Sequence, residues 1–351
     1  MSQNRAARSP LREARLRSPR TGRQMIFKAL EFFTRRSPGA RTPATDRQIA
    51  SEALAICAVD FWPAFSLSGG FWNFVLTESF GQFRVVDEAA DADIVLASVF
   101  PHEKAQFPEK TIAIIWENIR PNYEFYRFSI SSDFDAYQGR NCRVPNWYEE
   151  LVWNESFRGP KAAFAGAMHG HGHEERVEIE RLLAPGEAEP VVRSKFCCLV
   201  TSYREPYRAL AVEALSQIGP VDIFGNVAGA PLLQSKYEAL RDYRFNLCFE
   251  NSIFPGYYTE KALQAWAAGC IPLYFSDPYF SADFNPKAII NRIDFRELAE
   301  FVEAVRRVND SPDLMAQFHR EPLLTSRPNL DSVTAFLRGA AKAITGRDIG
   351  G

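Results

Sequence analysis

Residues 243–277, YRFNLCFENSIFPGYYTEKALQAWAAGCIPLYFSD, restrict what this chain can fold into more than any other stretch. Phe245–Asn251 is an apolar run with polar interruptions and reads as a buried strand, which Pro255-Gly256 breaks. Thr259 is placed to cap a following helix, its hydroxyl accepting a bond from an amide of the first turn. Ala262, Leu263, Trp266 and Ala267 recur at three- and four-residue spacing and give that helix one apolar face. Gly269 ends it, and Ile271–Phe275 reads as a second buried strand. Strand, loop, helix and strand in this order is the unit of an α/β sheet, whose loops at the strand C-termini hold ligands.

Glu250, Asn251, Glu260 and Lys261 all fall between the end of that first strand and the first helical turn. Free amides there attract an anion, and a lysine in the same turn adds a full positive charge. Tyr257 and Tyr258 can hydrogen-bond a phosphate or pack against a sugar or base. The pattern suits the phosphates of a nucleotide. The alternative is that Glu260 and Lys261 are solvated first-turn charges.

Upstream, apolar strands at Leu54–Phe61, Phe83–Val86, Asp93–Phe100 and Thr111–Trp116, with a helix near Phe71–Phe80, predict a first parallel sheet. Glu117 follows the strand KTIAIIW, where a carboxylate faces the crevice of an α/β sheet. It reads either as a reactive group or as a solvent-facing or Arg120-paired carboxylate. Asp133 and Asp135, in FSISSDFD, are candidates for hydrogen bonding to a second substrate. Asp91-Ala-Asp93 has the DxD form of metal-dependent glycosyltransferases, but it leads straight into an apolar strand and reads as a polar turn. His169, His171 and His173 are separated by glycines, and ordering them around a metal would cost entropy. A solvated loop is the better reading, before a helix Glu174–Leu183 and a linker Gly186–Pro190. The second globular unit opens at Lys195–Val200, and Ser202–Arg208 leads into a helix Arg208–Ile218. A strand Val221–Gly225, a helix Leu232–Tyr243 and, later, amphipathic helices Arg296–Val308 and Leu330–Ile344 complete the plan. The last of these is placed to fold back across the domain boundary.

Charge is divided unevenly along the chain. Residues 1–47 hold eleven Arg and one Lys against Glu13, Glu31 and Asp46, which is +9, so the remainder of a chain of net charge −2 carries −11. That balance argues against a nucleic-acid-binding body. No run approaches the ~18 apolar residues of a membrane span, and no apolar segment of a secretory signal follows the basic start. Residues 1–23 read as disordered. Met25, Ile26, Ala29, Leu30, Phe32 and Phe33 gather on one side of a helix over 24–36, flanked by Lys28, Arg35 and Arg36. Such a helix can lie on an anionic membrane or pack on the protein itself. Six cysteines lack the paired spacing of a disulfide framework, which fits a reducing cytoplasm.

FNLCFENS, GYYTEK, AGCIPLYF and DFNPKAIIN, running in order from Phe245 to Asn291, resemble the donor-site signature of the α1,3/4-fucosyltransferases, glycosyltransferase family 10. Weaker likeness extends from about Leu54 to Leu324, and the absence of an evident N-terminal anchor resembles the bacterial members. The resemblance implies an α/β fold of GT-B type, two Rossmann-like domains facing across a cleft. It implies an acceptor-side domain at 48–155, an irregular segment at 156–190, a GDP-fucose-binding domain at 191–325 and a C-terminal helix and tail at 326–351. It also implies inverting transfer of L-fucose from GDP-β-L-fucose to an N-acetyllactosamine-like oligosaccharide or lipid-linked glycan, as in lipopolysaccharide biosynthesis or protein glycosylation, with no required metal. Glu117 would then be the base, Asp133 an acceptor contact, and Arg208 (less well, Arg204) a diphosphate ligand. Glu250, Asn251, Tyr257, Glu260 and Lys261 would complete the donor site. Phe275-Ser276-Asp277 stand where many members have Trp, Gly and Ser. That departure leaves open another nucleotide sugar, and a non-catalytic nucleotide- or glycan-binding protein is the remaining alternative. The chain lacks the C-terminal heptads of some bacterial relatives.

Overall fold

A computed structural model describes residues 53–62, 65–99, 106–157, 176–186, 193–202, 205–227, 229–233 and 235–349. The expected helix over 24–36, the three histidines, Arg204 and most of the Gly186–Pro190 linker lie outside them.

The apolar runs of the first half become β1 (Leu54–Val59), β2 (Phe83–Val85), β3 (Ile94–Ala97), β4 (Thr111–Ile115), β5 (Phe128–Ser131) and β6 (Asn141–Arg143). They form one sheet in the order β2-β1-β3-β4-β5-β6, and every pairing is parallel. β3 and β4 are buried at every position, because a parallel sheet is covered on both faces. Helix α1 (Gly70–Phe80) covers one face with Phe71, Trp72, Val75 and Leu76.

The second sheet holds β9 (Lys195–Val200), β10 (Val221–Phe224), β11 (Tyr243–Leu247), β12 (Ile271–Tyr274) and β13 (Ile290–Asn291), again all parallel, in the order β10-β9-β11-β12-β13. Between the two sheets, β7 (Leu151–Val152) pairs with β8 (Val177–Glu178), which leads into α2 (Ile179–Leu183). Helices α3 (Pro206–Leu215), α4 (Lys236–Leu240), α5 (Lys261–Ala267), α6 (Leu298–Asp310) and α7 (Pro312–Arg320) belong to the second lobe. The six cysteines are unpaired and buried. Among the described residues, no helix is long and apolar enough to cross a membrane.

Three sequence expectations change here. The helix expected from Leu232 begins only at Lys236, because Ser235 accepts a bond from the Glu238 amide and sets the cap there, while Tyr243 already belongs to β11. The helix expected from Glu174 begins at Ile179, since Val177 and Glu178 are drawn into pairing with Leu151 and Val152. The segment between the sheets is no bare tether at its described ends. Trp147, Leu151, Val177, Ile179 and Leu182 share a core with Tyr258, Leu263 and Trp266 of the second lobe. Helix α8 (Asp331–Thr345) returns to the first lobe, where Val333, Leu337, Ala340 and Ala341 pack with the α1 core and Arg338 Nε donates to the Ser79 carbonyl at 2.8 Å.

The lobes are tied by a two-pronged ion pair. Arg143 donates from Nη1 and Nη2 to the two Asp283 oxygens, 2.9 Å each, and Trp147 Nε1 donates to Asp283 Oδ2 at 2.8 Å. Gly256 sits against the first lobe with φ +92, and a Cβ there would overlap the Ser132 carbonyl oxygen. Only glycine meets both demands, which explains the Pro-Gly break.

Candidate functional site

In each sheet the strand order reverses direction once, between β1 and β3 and between β9 and β11, and ligands of such sheets bind beyond the strand ends at that point. Thr201 follows β9, and Cys248–Asn251 follow β11. Arg208, in the first turn of α3, reaches between them. Pro206 opens that helix, its fixed φ suiting the first turn.

Arg208 is 3% exposed. Its Nη1 donates to Thr201 Oγ1 at 3.0 Å, and its Nη2 to the Phe249 carbonyl at 2.6 Å and to Asn251 Oδ1 at 2.8 Å. Its Nε is buried with no partner. Every acceptor is neutral, and no carboxylate ion-pairs with it among the described residues. A buried guanidinium without a counter-charge is costly, and an anion that reaches it regains that cost through charge-assisted bonds.

Glu250 is fully buried and saturated with donors. Thr259 N donates to Oε1 at 2.8 Å, the Thr259 hydroxyl bonds Oε2 at 2.8 Å, Tyr274 OH donates to Oε1 at 2.6 Å, and Lys261 Nζ donates to Oε2 at 3.0 Å. This corrects the capping expectation. The cap position belongs to Glu260, and the Thr259 hydroxyl serves the buried carboxylate, whose unmet acceptors would cost more than an uncapped turn. It also fixes the geometry of Lys261, which touches Thr259 Oγ1 at 2.8 Å and lies 3.8 Å from Glu260. Burial works to lower the Lys261 pKa, but Glu250 and Glu260 outweigh it and the net shift is upward, so the ammonium is held charged.

Glu117 follows β4 on the opposite lobe, in a tight turn closed by the Ile119 amide donating to the Glu117 carbonyl at 2.7 Å. Its side chain is open to solvent, yet the protein around it raises its pKa. Burial is the larger cause, Glu260 adds to it, and Lys261 opposes it. Tyr257, 3% exposed, has its phenol pushed up by burial, then by Glu250, Glu117 and Glu260, with Arg208 acting the other way. Charges of both lobes therefore act on one another around Tyr257. Arg120, the alternative partner for Glu117, pairs instead with Asp133 at 3.1 Å.

Of the residues singled out in the sequence, Arg208 and Asn251 are in contact, as are Glu250, Lys261 and Glu260, and Glu117 and Tyr257 share their field. Asp133 is drawn elsewhere. It is 5% exposed and holds Arg120 and the Tyr137 hydroxyl, 2.6 Å, while its Oδ1 accepts the Asp135 amide at 3.1 Å. Asp93 of the DxD accepts the Ala55 amide at 2.8 Å and lies 3.5 Å from Arg347. Asp277 is buried and accepts from Tyr258 OH at 3.0 Å and from the Tyr279 amide at 2.7 Å. Thr201, Thr259 and Tyr274 support the site, and Asn118 and Ser252 meet across it. The partners of Tyr274, Asn118 and Ser252 are too distant in sequence for local spacing to reveal.

Residues 192–321 match the model of the glycosyltransferase family 10 (fucosyltransferase) C-terminal region, and residues 56–149 that of the α-(1,3)-fucosyltransferase FucT N-terminal domain. The α-(1,3)-fucosyltransferase FucT of Helicobacter pylori is 29% identical over 208 residues, 56% of this chain and 44% of the relative. The α-(1,3)-fucosyltransferase 7 of Bos taurus is 39% identical over 135 residues, 36% of this chain and 40% of the relative. The chain thus spans less than half the length of these curated relatives. A crystal structure of an α1,3-fucosyltransferase with GDP superposes with a TM-score of 0.64 at 21% identity, covering 83% of this chain and 90% of that one. A crystal structure of α1,3-fucosyltransferase with GDP-fucose gives 0.62 at 19% identity, covering 88% and 94%. The fold shared with these structures is the GT-B arrangement of two α/β lobes.

Proposed function

Since this chain belongs to glycosyltransferase family 10 through both of its lobes, we propose that it transfers L-fucose from GDP-β-L-fucose to a hydroxyl of an N-acetylglucosamine-containing, N-acetyllactosamine-like glycan, forming an α1,3- or α1,4-fucosidic bond. The observation that carries this reading is the buried, uncompensated Arg208 at the switch point of the second sheet, with Lys261 beside it in the same electrostatic neighbourhood and Glu117 acting on that neighbourhood from the other lobe.

The diphosphate docks against Arg208 and Lys261, and Tyr257 and Asn251 orient it. Glu260 holds a ribose or fucose hydroxyl. Glu117 takes the proton of the acceptor hydroxyl, whose oxygen attacks the anomeric carbon from the face opposite the leaving group. The bond from that carbon to the β-phosphate oxygen breaks, its electron pair leaves with GDP, and the configuration inverts. Negative charge grows on GDP as the bond stretches, and cations already in place there stabilise it without reorganising. The two side chains take the part a metal plays in other glycosyltransferases. A raised pKa brings Glu117 nearer the range in which a carboxylate is an effective base. Glu250, buried beyond the end of β11, acts by holding Lys261. Unpaired, buried cysteines support a reducing compartment such as the cytoplasm. The basic stretch 24–36, with its apolar side, supports contact with the inner membrane face and access to a lipid-linked acceptor.

A panel of radiolabelled nucleotide sugars, each offered with N-acetyllactosamine, tests this. The expected result is label transfer from GDP-fucose. Transfer from a different sugar nucleotide would put the departure at Phe275–Asp277 in charge of donor choice. Binding of nucleotides without transfer from any donor would leave a non-catalytic binding protein.

A further inference from the structure

We propose that Asn118 and Arg120 are positioning residues that join the placement of Glu117 to the donor loop Asn251–Gly256; this rests on the reading of Glu117 as the base. Asn118 is the central residue of the tight turn that carries Glu117, and its Nδ2 donates to Ser252 Oγ at 2.5 Å, from one lobe to the other. Arg120 Nη2 donates to Asn118 Oδ1 and Nη1 to Asp133, while its Cζ lies over the Phe254 ring, 3.2 Å from the centroid. The same loop begins at Asn251, which accepts from Arg208. One short segment therefore touches the diphosphate-binding cation at its first residue and grips the base's turn at its second and fourth.

Glu117 needs such help. Among the described residues it makes no ion pair, and the residue as a whole is exposed. On the other side the turn is fixed by Asn146 Nδ2, which donates to the Trp116 carbonyl at 2.5 Å. Asn118 supplies the hold toward the donor. Arg120 orients that amide with one nitrogen, holds Asp133 with another and sets its cation over Phe254, a combination the single ammonium of lysine cannot reproduce. Asp133, engaged by Arg120, is the far end of this chain of contacts.

Asn118→Ala, Ser252→Ala and their combination test the coupling, with transfer kcat, acceptor KM and calorimetric GDP affinity measured for each. A misplaced base costs turnover and leaves nucleotide binding alone, so each single variant should lose about tenfold or more in kcat while GDP affinity stays within about twofold. The double variant should fall no further than the worse single one, because both remove the same contact. Arg120→Lys should give the same split between kcat and GDP affinity. Wild-type kcat in both single variants overturns the proposal, as does a double loss equal to the product of the single losses. Glu117→Gln, run beside them, separates the two layers. If it transfers at the wild-type rate, the assignment of the base has failed. If it is inactive while the Asn118 and Ser252 variants match wild type, only the tether has failed.

Discussion

Past β9 and β11 in the second lobe, the polar atoms are buried and interlocked. Glu250 takes four donors with no exposure at all, and Arg208 is gripped by a hydroxyl, a carbonyl and an amide oxygen. Past β4 in the first lobe, Glu117 is exposed on a three-residue turn, and Arg120, just beyond that turn, pairs with Asp133. The sheets share a strand order, yet one end holds its charges rigidly in place before any ligand arrives and the other leaves its carboxylate uncommitted. The contrast follows the chemistry each side is asked to do. Cations that stabilise developing charge must not reorganise during reaction. A base must be free to meet a proton it does not hold in advance.

The sharpest way to break this contrast is Glu117→Gln. On the proposed reading it should lower transfer by on the order of a thousandfold, read as initial rates with GDP-fucose, and leave GDP affinity unchanged. The reverse signature is expected of Glu250→Ala, which strips the buried Lys261 ammonium of its closest carboxylate and leaves it only Glu260, 3.8 Å away. Unfolding in urea should show a loss of about 3 kcal/mol. Gly256→Ala should cost at least about 1 kcal/mol, since a left-handed backbone and the Ser132 carbonyl both oppose a Cβ; thermal melting reads it.

The smallest effects are expected in pH profiles. Because a base must be ionised, kcat/KM should rise with pH through the elevated Glu117 pKa. Lys261→Met removes the influence that lowers that pKa, so the acid limb should move to higher pH, and Glu260→Gln should move it to lower pH. The stability counterpart has a definite sign. Glu117 binds its proton more tightly folded than unfolded, so its contribution is fully present below the unfolded pKa and is lost as pH rises through the folded one. Glu117→Gln should therefore melt slightly higher than wild type at neutral pH.

The parallel strands were legible as apolar runs, because burial on both faces writes itself into consecutive residues. The segment from Phe245 to Lys261 was legible as a site, because its charged residues crowd one loop where a lone solvated face would spread them. What escaped depends on partners far along the chain. Thr259 looks like a cap until Glu250 and Tyr274 are seen around it, and the hold of Arg120 and Tyr137 on Asp133 has no local signal. The return of α8 to the first lobe, by contrast, matches the expectation that the last amphipathic helix folds back across the domain boundary. Asn118 and Ser252 are 134 residues apart, and neither has a local signal.

The central claim is that a diphosphate is bound by cations fixed in the second lobe. Calorimetric titration of GDP into wild type and Arg208→Ala tests it most directly. The expected result is clear binding to wild type and a loss of about a hundredfold in the variant, as for removal of a desolvated charge partner. Equal affinity in the two proteins would contradict the claim.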